Sequence, residues 1–309
     1  MKIDRSQLIA DLLKFSTSGN GVIVGQPGVG KSYALVELRE QLKANGIPHL
    51  ILPVERLGGA SDAELKAVLR RDGDLVSLLR AVAKESNIPA ILIFDGFDAA
   101  RGENERAGVF RLILQAVTEL RGEWNTIVSV RTFDAKKSRR LLELFPETKS
   151  DAGTVTSPCR QFLIPALRDD EVEQALTQVA GLRALHDGGT KAFHALLTVP
   201  FNLWLIERVL SAGARANEFS KITSEVQLLE MYWEYRVRKA GHPENREFIL
   251  KTATRAMVED QKLTVRRDRI YQPQVREAWD GLLSDELLAE APEREASIAF
   301  THNILFDFA

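Results

Sequence analysis

The chain has 309 residues, of which 45% are hydrophobic and 27% are charged, and its formal net charge is -2. These values predict a globular protein with room for two or three domains, and they exclude a bulk electrostatic attraction to nucleic acid or anionic membranes. The single cysteine, Cys159, excludes internal disulfides, and no apolar run in the sequence is long enough to span a membrane. We therefore expect a cytoplasmic protein.

Hydrophobic periodicity in the first half of the chain alternates between strand and helix patterns. It predicts strands at residues 21–24, 49–54, 90–94, 126–130 and 161–164. It predicts helices at residues 6–15 with Ser6 as the N-cap, 33–42, 61–71, 74–86, 104–121 and 136–144. The polar residues 147–157 indicate a loop. Because strands alternate with helices, we expect an α/β domain with a parallel five-stranded sheet covered on both faces.

After Pro165 the strand signal stops, and two further domains are predicted. Helical patterns at residues 169–179, 190–197 and 201–210 indicate a small helical domain. Helices at 224–239, 244–260 and 274–283, with short strands at 262–265 and around Leu288 and Ile298, suggest a winged helix. The predicted domains are thus 1–165, 166–220 and 221–309. Residues 300–309 form an apolar helical pattern without a C-cap, so we expect a fragment of something longer.

Residues 25–32 match the phosphate-binding pattern G-x-x-x-x-G-K-[ST] and lie between a predicted strand and a predicted helix. Glycine-rich backbone can turn its N–H groups toward phosphates, Lys31 can reach the β- and γ-phosphates, and Ser32 can ligate Mg²⁺. We therefore predict that ATP or ADP binds here with Mg²⁺. The predicted nucleotide-binding residues of this segment are Gly25, Pro27, Gly28, Val29, Gly30, Lys31, Ser32 and Tyr33.

A second acidic element follows the predicted strand at 90–94. Asp95 ends this apolar run and is predicted, with Ser32, to hold Mg²⁺, while Asp98 could polarise an attacking water. Arg131 ends the fourth strand, which in P-loop ATPases with an inserted strand lies between the strands of the two motifs. Its cation could reach the γ-phosphate. The predicted catalytic residues are Lys31, Asp95, Asp98 and Arg131.

These motifs, together with residues 94–98, 128–131, 198–204 and 300–302, occur in the order and rough spacing of the STAND class of signal-transduction ATPases. More narrowly, the chain resembles the NACHT family and its bacterial antiviral relatives, over nearly its whole length. The resemblance implies a slow, regulatory ATPase that switches with its nucleotide and self-associates, here without its C-terminal sensor.

The resemblance also assigns roles in the second half of the chain. It implies that Pro200 packs on the adenine, that Trp204 lines the same pocket and that His302 touches the β-phosphate of ADP. One position departs from the family. Ala99 stands where family members usually carry a glutamate after the second acid, so hydrolysis would depend on Asp98 alone.

Two other interpretations stay open. A DNA-binding AAA+-type ATPase, such as a replication initiator, would use the winged helix to read DNA. Its phosphate contacts would come from a basic patch of Arg266, Arg267, Arg269 and Arg276. Glu277 and Asp280 on the predicted recognition helix argue against it, because phosphate repels them. A small-molecule P-loop kinase is the third interpretation, but the chain lacks an arginine-rich lid.

Overall fold

The computed structural model describes residues 1–57, 65, 66, 69, 74–83, 88–146, 159–291 and 296–309. The predicted loop at 147–157 lies outside these residues, as does the predicted helix at 61–71 apart from residues 65, 66 and 69. The described chain forms two compact units, one of Arg5–Pro165 and one of Met1–Asp4 with Ala166–Ala309. Within the described residues, no helix combines the length and apolar character that a membrane crossing requires.

The first unit is built on a parallel five-stranded sheet, as predicted. Its strands are β1 (Gly21–Gly25), β2 (His49–Pro53), β3 (Ala90–Asp95), β4 (Trp124–Arg131) and β5 (Gln161–Leu163). They lie in the order β2-β3-β4-β1-β5, so β4 is inserted between β1 and β3. Gly25 pairs in register with Arg131, and Pro53 pairs with Asp95. The residues that end these strands therefore meet along one edge of the sheet.

The helices of the first unit largely follow the predicted pattern. They are α1 (Ser6–Thr17), α2 (Lys31–Ala44), α3 (Leu75–Ala83), α4 (Glu103–Glu119), α5 (Thr132–Lys137) and α6 (Arg139–Glu143). Two details of the prediction were wrong. Ser6 is the first helical residue rather than the cap, which is Arg5. The single helix predicted at 136–144 is two short helices that begin directly after β4, because Ser138 leaves the helical region at φ -96° and ψ 58°.

Both faces of the sheet are covered, which explains the continuous apolar sequence of β3. Residues 90–94 of that strand are completely buried. Phe94 belongs to the core that α3 and α4 share with one face, whereas Ile93 belongs to the core that α1 and α2 share with the other. A strand buried on both faces does not alternate apolar and polar residues. Asp95, the one polar residue of β3, lies at the carboxyl end of the strand.

The second unit is mainly helical. Its helices are α7 (Asp169–Gln178), α8 (Leu182–Asp187), α9 (Lys191–Leu197), α10 (Pro200–Ser211), α11 (Glu225–Trp233), α12 (Pro243–Glu259), α13 (Arg276–Ser284) and α14 (Asn303–Phe308). An antiparallel sheet contains β6 (Val265–Arg266), β7 (Leu288–Glu290) and β8 (Ser297–Phe300), in the order β6-β8-β7. A π-helical turn, Glu234–Arg238, follows α11.

The differences from the predicted second unit are local. Helix α8 was not predicted, and the strand predicted at 262–265 lies at Val265–Arg266. Asp285, which follows α13, accepts hydrogen bonds from Arg236 at 2.9 Å and from Arg246 at 2.6 Å. The carboxylate thus ties the π-helical turn and α12 to the end of α13. The division of this unit at residues 220 and 221 stays a prediction.

Candidate functional site

The glycine-rich segment 25–32 connects β1 to α2 in a conformation that only glycine adopts easily. Gly28 has φ 75° and Gly30 has φ 90°, both in the left-handed region. Helix α2 begins at Lys31, whose side chain turns back over the loop. Its Nζ atom donates hydrogen bonds to the carbonyl oxygens of Gly25 at 2.8 Å and Gln26 at 3.1 Å. The ammonium group is therefore held inside the curve of the loop, where an anion would be bound.

Close packing fixes the base of this loop. A Cβ atom on Gly25 would lie 2.9 Å from Cγ2 of Val29 and 3.3 Å from Cβ of Ile164. Val29 is itself buried and anchors the loop to the core, whereas Pro27 is exposed. Ser32 and Tyr33 are exposed in the first turn of α2. The loop thus has a buried base and an accessible rim.

An arginine that the sequence analysis did not single out also supports the loop. Arg5 donates hydrogen bonds from Nη1 to the carbonyl oxygen of Val29 at 3.3 Å and from Nη2 to that of Pro165 at 3.0 Å. It therefore connects the start of α1 to the phosphate loop and to the segment after β5. An arginine beside a helix start has no distinctive sequence signal, because such residues are usually solvated.

The first acid, Asp95, is oriented by a buried serine on the neighbouring strand. Ser129 lies on β4, is completely buried and donates a hydrogen bond from Oγ to Oδ1 of Asp95 at 2.5 Å. The Oγ atom of Ser129 in turn accepts a hydrogen bond from the backbone N–H of Gly96 at 2.8 Å. Gly96 has φ 76°, which lets the chain turn sharply after the acid. Ser129 was also missed, and its only sequence signal is a polar residue within an apolar strand.

The second acid, Asp98, is paired with Arg131. The Arg131 side chain lies 2.7 Å from the carboxylate (Nε to Oδ2), and its backbone N–H donates to Oδ1 at 3.1 Å. The side chains are only 22% and 11% exposed, which limits solvent screening of the pair. The pair fixes the guanidinium group of Arg131 at the end of β4.

Electrostatic coupling links Lys31 to the other three predicted catalytic residues. Burial is the main influence, and it lowers the pKa of Lys31. Asp98 opposes this shift, Arg131 adds to it, and Asp95 opposes it more weakly. The four side chains therefore lie close enough to affect one another's charge. The structure thus brings together the four predicted catalytic residues, which lie at or after the carboxyl ends of three strands, β1, β3 and β4.

Two of the three predicted nucleotide-contacting residues of the second unit, Trp204 and His302, belong to an aromatic cluster. His302 lies against Trp204 at 4.6 Å and against Phe201 at 5.1 Å between ring centroids, in edge-on geometry. Pro200 is the first residue of the helix that carries both aromatic rings. Burial lowers the pKa of His302, against an opposing effect of Glu286. Burial thus favours the neutral imidazole of His302, and the role of this residue toward a nucleotide stays a prediction.

The order of the five strands, the phosphate loop between β1 and α2, and the acid at the end of β3 define the first unit as a P-loop nucleotide-binding fold with an inserted strand. No protein-family model matches the chain, and no curated protein matches its sequence significantly.

Three solved structures resemble the chain along its length. One is a Walker-type ATPase of Pyrococcus abyssi, at 13% identity and TM-score 0.47 over 99% of this chain and 95% of that chain. Another is the Drosophila ORC bound to DNA, at 10% identity and TM-score 0.42 over 100% and 87%. The third is the RuvB Holliday junction branch migration motor of Thermotoga maritima, at 14% identity and TM-score 0.36 over 98% and 93%.

Proposed function

We propose that the chain is an ATPase that binds ATP or ADP at residues 25–32. The observation that carries this proposal is the position of the Lys31 ammonium group, held by the carbonyls of Gly25 and Gln26 inside the loop. Loop N–H groups and the N-terminus of α2 would bind the phosphates, and Lys31 would exchange its carbonyl partners for phosphate oxygens. Arg131, anchored by Asp98, would stabilise the charge that develops on the γ-phosphate.

The residues present fit a magnesium ion. Mg²⁺ prefers oxygen ligands, keeps several waters and is held by one or two protein side chains together with substrate phosphates. Ser32 supplies an exposed hydroxyl, and Asp95 has one oxygen bonded to Ser129, which leaves its second oxygen for a metal-bound water. When bound, the ion supplies positive charge that polarises the γ-phosphate. Asp95 would hold its water shell, and Ser129 would keep that carboxylate in position.

We further propose a regulatory role of the STAND and NACHT type, in bacterial antiviral signalling. This step rests on the resemblance of the motifs, with Pro200, Trp204 and His302 as the second-unit residues that contact ADP. The clustering of His302 with the aromatic face of α10 supports it, because a neutral imidazole on a fixed apolar support is suited to donate a hydrogen bond to a phosphate. We also infer that α12, α13 and β6–β8 form a winged helix, and that the ATP-bound chain self-associates.

The structure gives the DNA-binding alternative no additional support. Three arginines of the basic patch have acidic partners: Arg266 pairs with Asp268, Arg269 with Asp260, and Arg276 with Asp280 at 3.7 Å. The fourth, Arg267, stacks on the rings of Tyr271 and Trp279. Binding to DNA phosphates would have to replace these ion pairs, so the patch presents little unbalanced positive charge.

Phosphate release from ATP, measured with and without Mg²⁺, tests the proposed activity. Asp95→Asn should lower the Mg²⁺-dependent rate about 100-fold or more, because the variant loses the charge that holds the ion's water shell. Asp11→Asn, which changes an exposed carboxylate on α1, is the matched control and should leave the rate unchanged. A wild-type protein that neither binds nucleotide nor releases phosphate would contradict the proposal.

A further inference from the structure

A third carboxylate, Glu55, lies at the same edge of the sheet as the two predicted acids. It belongs to a 3₁₀ turn, Val54–Arg56, that directly follows β2. Strands β2 and β3 are adjacent and parallel, with Pro53 opposite Asp95. The residues that follow these two strands must therefore emerge side by side. The turn that carries Glu55 packs against the 3₁₀ turn Phe97–Ala99, which carries Asp98.

The two acids predicted from the sequence already have side-chain partners in this structure. Asp98 accepts from Arg131 with both oxygens, at 2.7 Å and 3.1 Å. For Asp98 to bind a water molecule, at least one of these two bonds to Arg131 would have to break. Asp95 has Oδ1 bound to Ser129 and is suited by position to the magnesium shell. A base that activates water would have to come from another side chain.

Glu55 has the properties that these two acids lack. Within the part of the chain that the structure describes, its carboxylate has no hydrogen bond or ion pair. The side chain of Glu55 is exposed to solvent, although neighbouring protein atoms crowd around its carboxylate. This crowding raises the pKa of Glu55, with Arg56 opposing the shift and Asp95 and Asp98 adding to it.

We propose that Glu55 is the general base of the ATPase reaction. The water oxygen forms a bond to the γ-phosphorus while the bond from that phosphorus to the β,γ-bridging oxygen breaks. The water proton passes to the Glu55 carboxylate, and the bridging oxygen leaves with the bonding electrons as part of ADP. This inference rests on the proposed function. It also explains how the chain could hydrolyse ATP with an alanine at position 99. A base in the turn after β2 would make a glutamate at that position unnecessary.

Single-turnover hydrolysis and equilibrium binding of Mg·ATP, measured on the same samples, test the assignment. Glu55→Gln keeps the size of the side chain and removes its basicity, so the hydrolysis rate should fall about 100-fold or more. The dissociation constant for Mg·ATP should change less than about threefold, since the base acts on water and not on the nucleotide. Glu40→Gln, at an exposed position on α2, is the matched control and should match wild type in both measurements.

Asp98→Asn separates the two candidate bases. It should lower the rate less than Glu55→Gln, because it weakens the hold on Arg131 but leaves the base in place. A Glu55→Gln variant with the wild-type rate would overturn the assignment, and so would a larger loss in Asp98→Asn. Equal losses of affinity and rate in Glu55→Gln would also overturn it, since they would indicate a structural role. If wild type binds and hydrolyses no ATP, the proposed function fails and this inference fails with it.

Discussion

The two units of the chain assemble their candidate functional residues in different ways. In the first unit, charged side chains stand at the ends of neighbouring parallel strands, so the sheet itself brings Asp95, Asp98 and Arg131 to one edge. In the second unit, His302 meets Phe201 and Trp204 through aromatic packing between segments far apart in sequence. The first arrangement follows from topology and the second from core packing. Variants of the charged residues in the first unit should therefore change mainly nucleotide chemistry, whereas variants of the aromatic cluster in the second unit should also change stability.

The largest expected effect is on nucleotide binding in Lys31→Ala. The variant loses the Lys31 ammonium group, which we propose leaves the loop carbonyls and binds phosphate oxygens. A charge-assisted interaction of this kind contributes about 3 kcal/mol. Affinity for Mg·ATP should fall about 100-fold, as measured by isothermal titration calorimetry. Lys43→Ala, which removes an exposed cation from the same helix, should bind like wild type. Equal affinities for all three proteins would place the nucleotide elsewhere.

The aromatic cluster of the second unit should respond in stability. Trp204→Ala removes ring contacts to Phe201, Tyr232 and His302, and a partly buried indole of this kind contributes about 2 to 3 kcal/mol. Urea denaturation should report a loss of that size in the free energy of unfolding. Trp204→Phe should recover part of it. If the alanine variant were as stable as wild type, packing would not be what holds the cluster together.

A smaller change in stability should accompany Gly25→Ala at the base of the phosphate loop. The added Cβ would lie 2.9 Å from Val29 Cγ2 and 3.3 Å from Lys31 Cγ, so one of these side chains must shift. We expect a cost of about 1 to 2 kcal/mol in thermal unfolding, together with weaker nucleotide binding. Gly241→Ala is a control in the second unit, where the new methyl would meet open space. Equal effects at both glycines would contradict the close packing of the loop.

The smallest expected effect is a dependence of stability on pH from His302. Its folded pKa lies below the ordinary value of 6.5 because of burial, so the unfolded chain binds more protons between the two values. The stabilisation is complete above pH 6.5 and declines as the pH falls from there to the folded pKa. Melting temperatures measured across this range should fall less steeply in His302→Asn than in wild type. Identical slopes would mean that His302 titrates alike in both states.

The sequence predicted most of the first unit because its signals are local. The apolar run of β3 and the glycine pattern at 25–32 each need only a short window, and their elements lie as expected. The hydrogen bond from Ser129 to Asp95 and the proximity of Glu55 depend on which strands are neighbours and on their register. The hydrophobic periodicity of a sequence contains no information on strand order or strand register. Helix α8 was missed because its six residues are too few for a clear helical pattern.

In the second unit, the predicted roles of Pro200, Trp204 and His302 came from a family resemblance and not from the residues alone. The structure places the rings of Trp204 and His302 together, but a pattern of spacing could not have predicted a contact between α10 and the segment before α14. Contacts of this kind depend on how helices pack across the unit. Their nucleotide roles therefore need a direct measurement.

The most direct test of the central claim is the nucleotide that co-purifies with the protein, identified by denaturing it and separating the supernatant by ion-exchange chromatography. We expect bound ADP or ATP in wild type and none in Lys31→Ala. The nucleotide-operated switch further predicts that Pro200→Ala and His302→Ala each lose ADP while keeping a folded first unit. An empty wild-type protein that also fails to bind added Mg·ATP would contradict the account, as would equal amounts of nucleotide in wild type and Lys31→Ala.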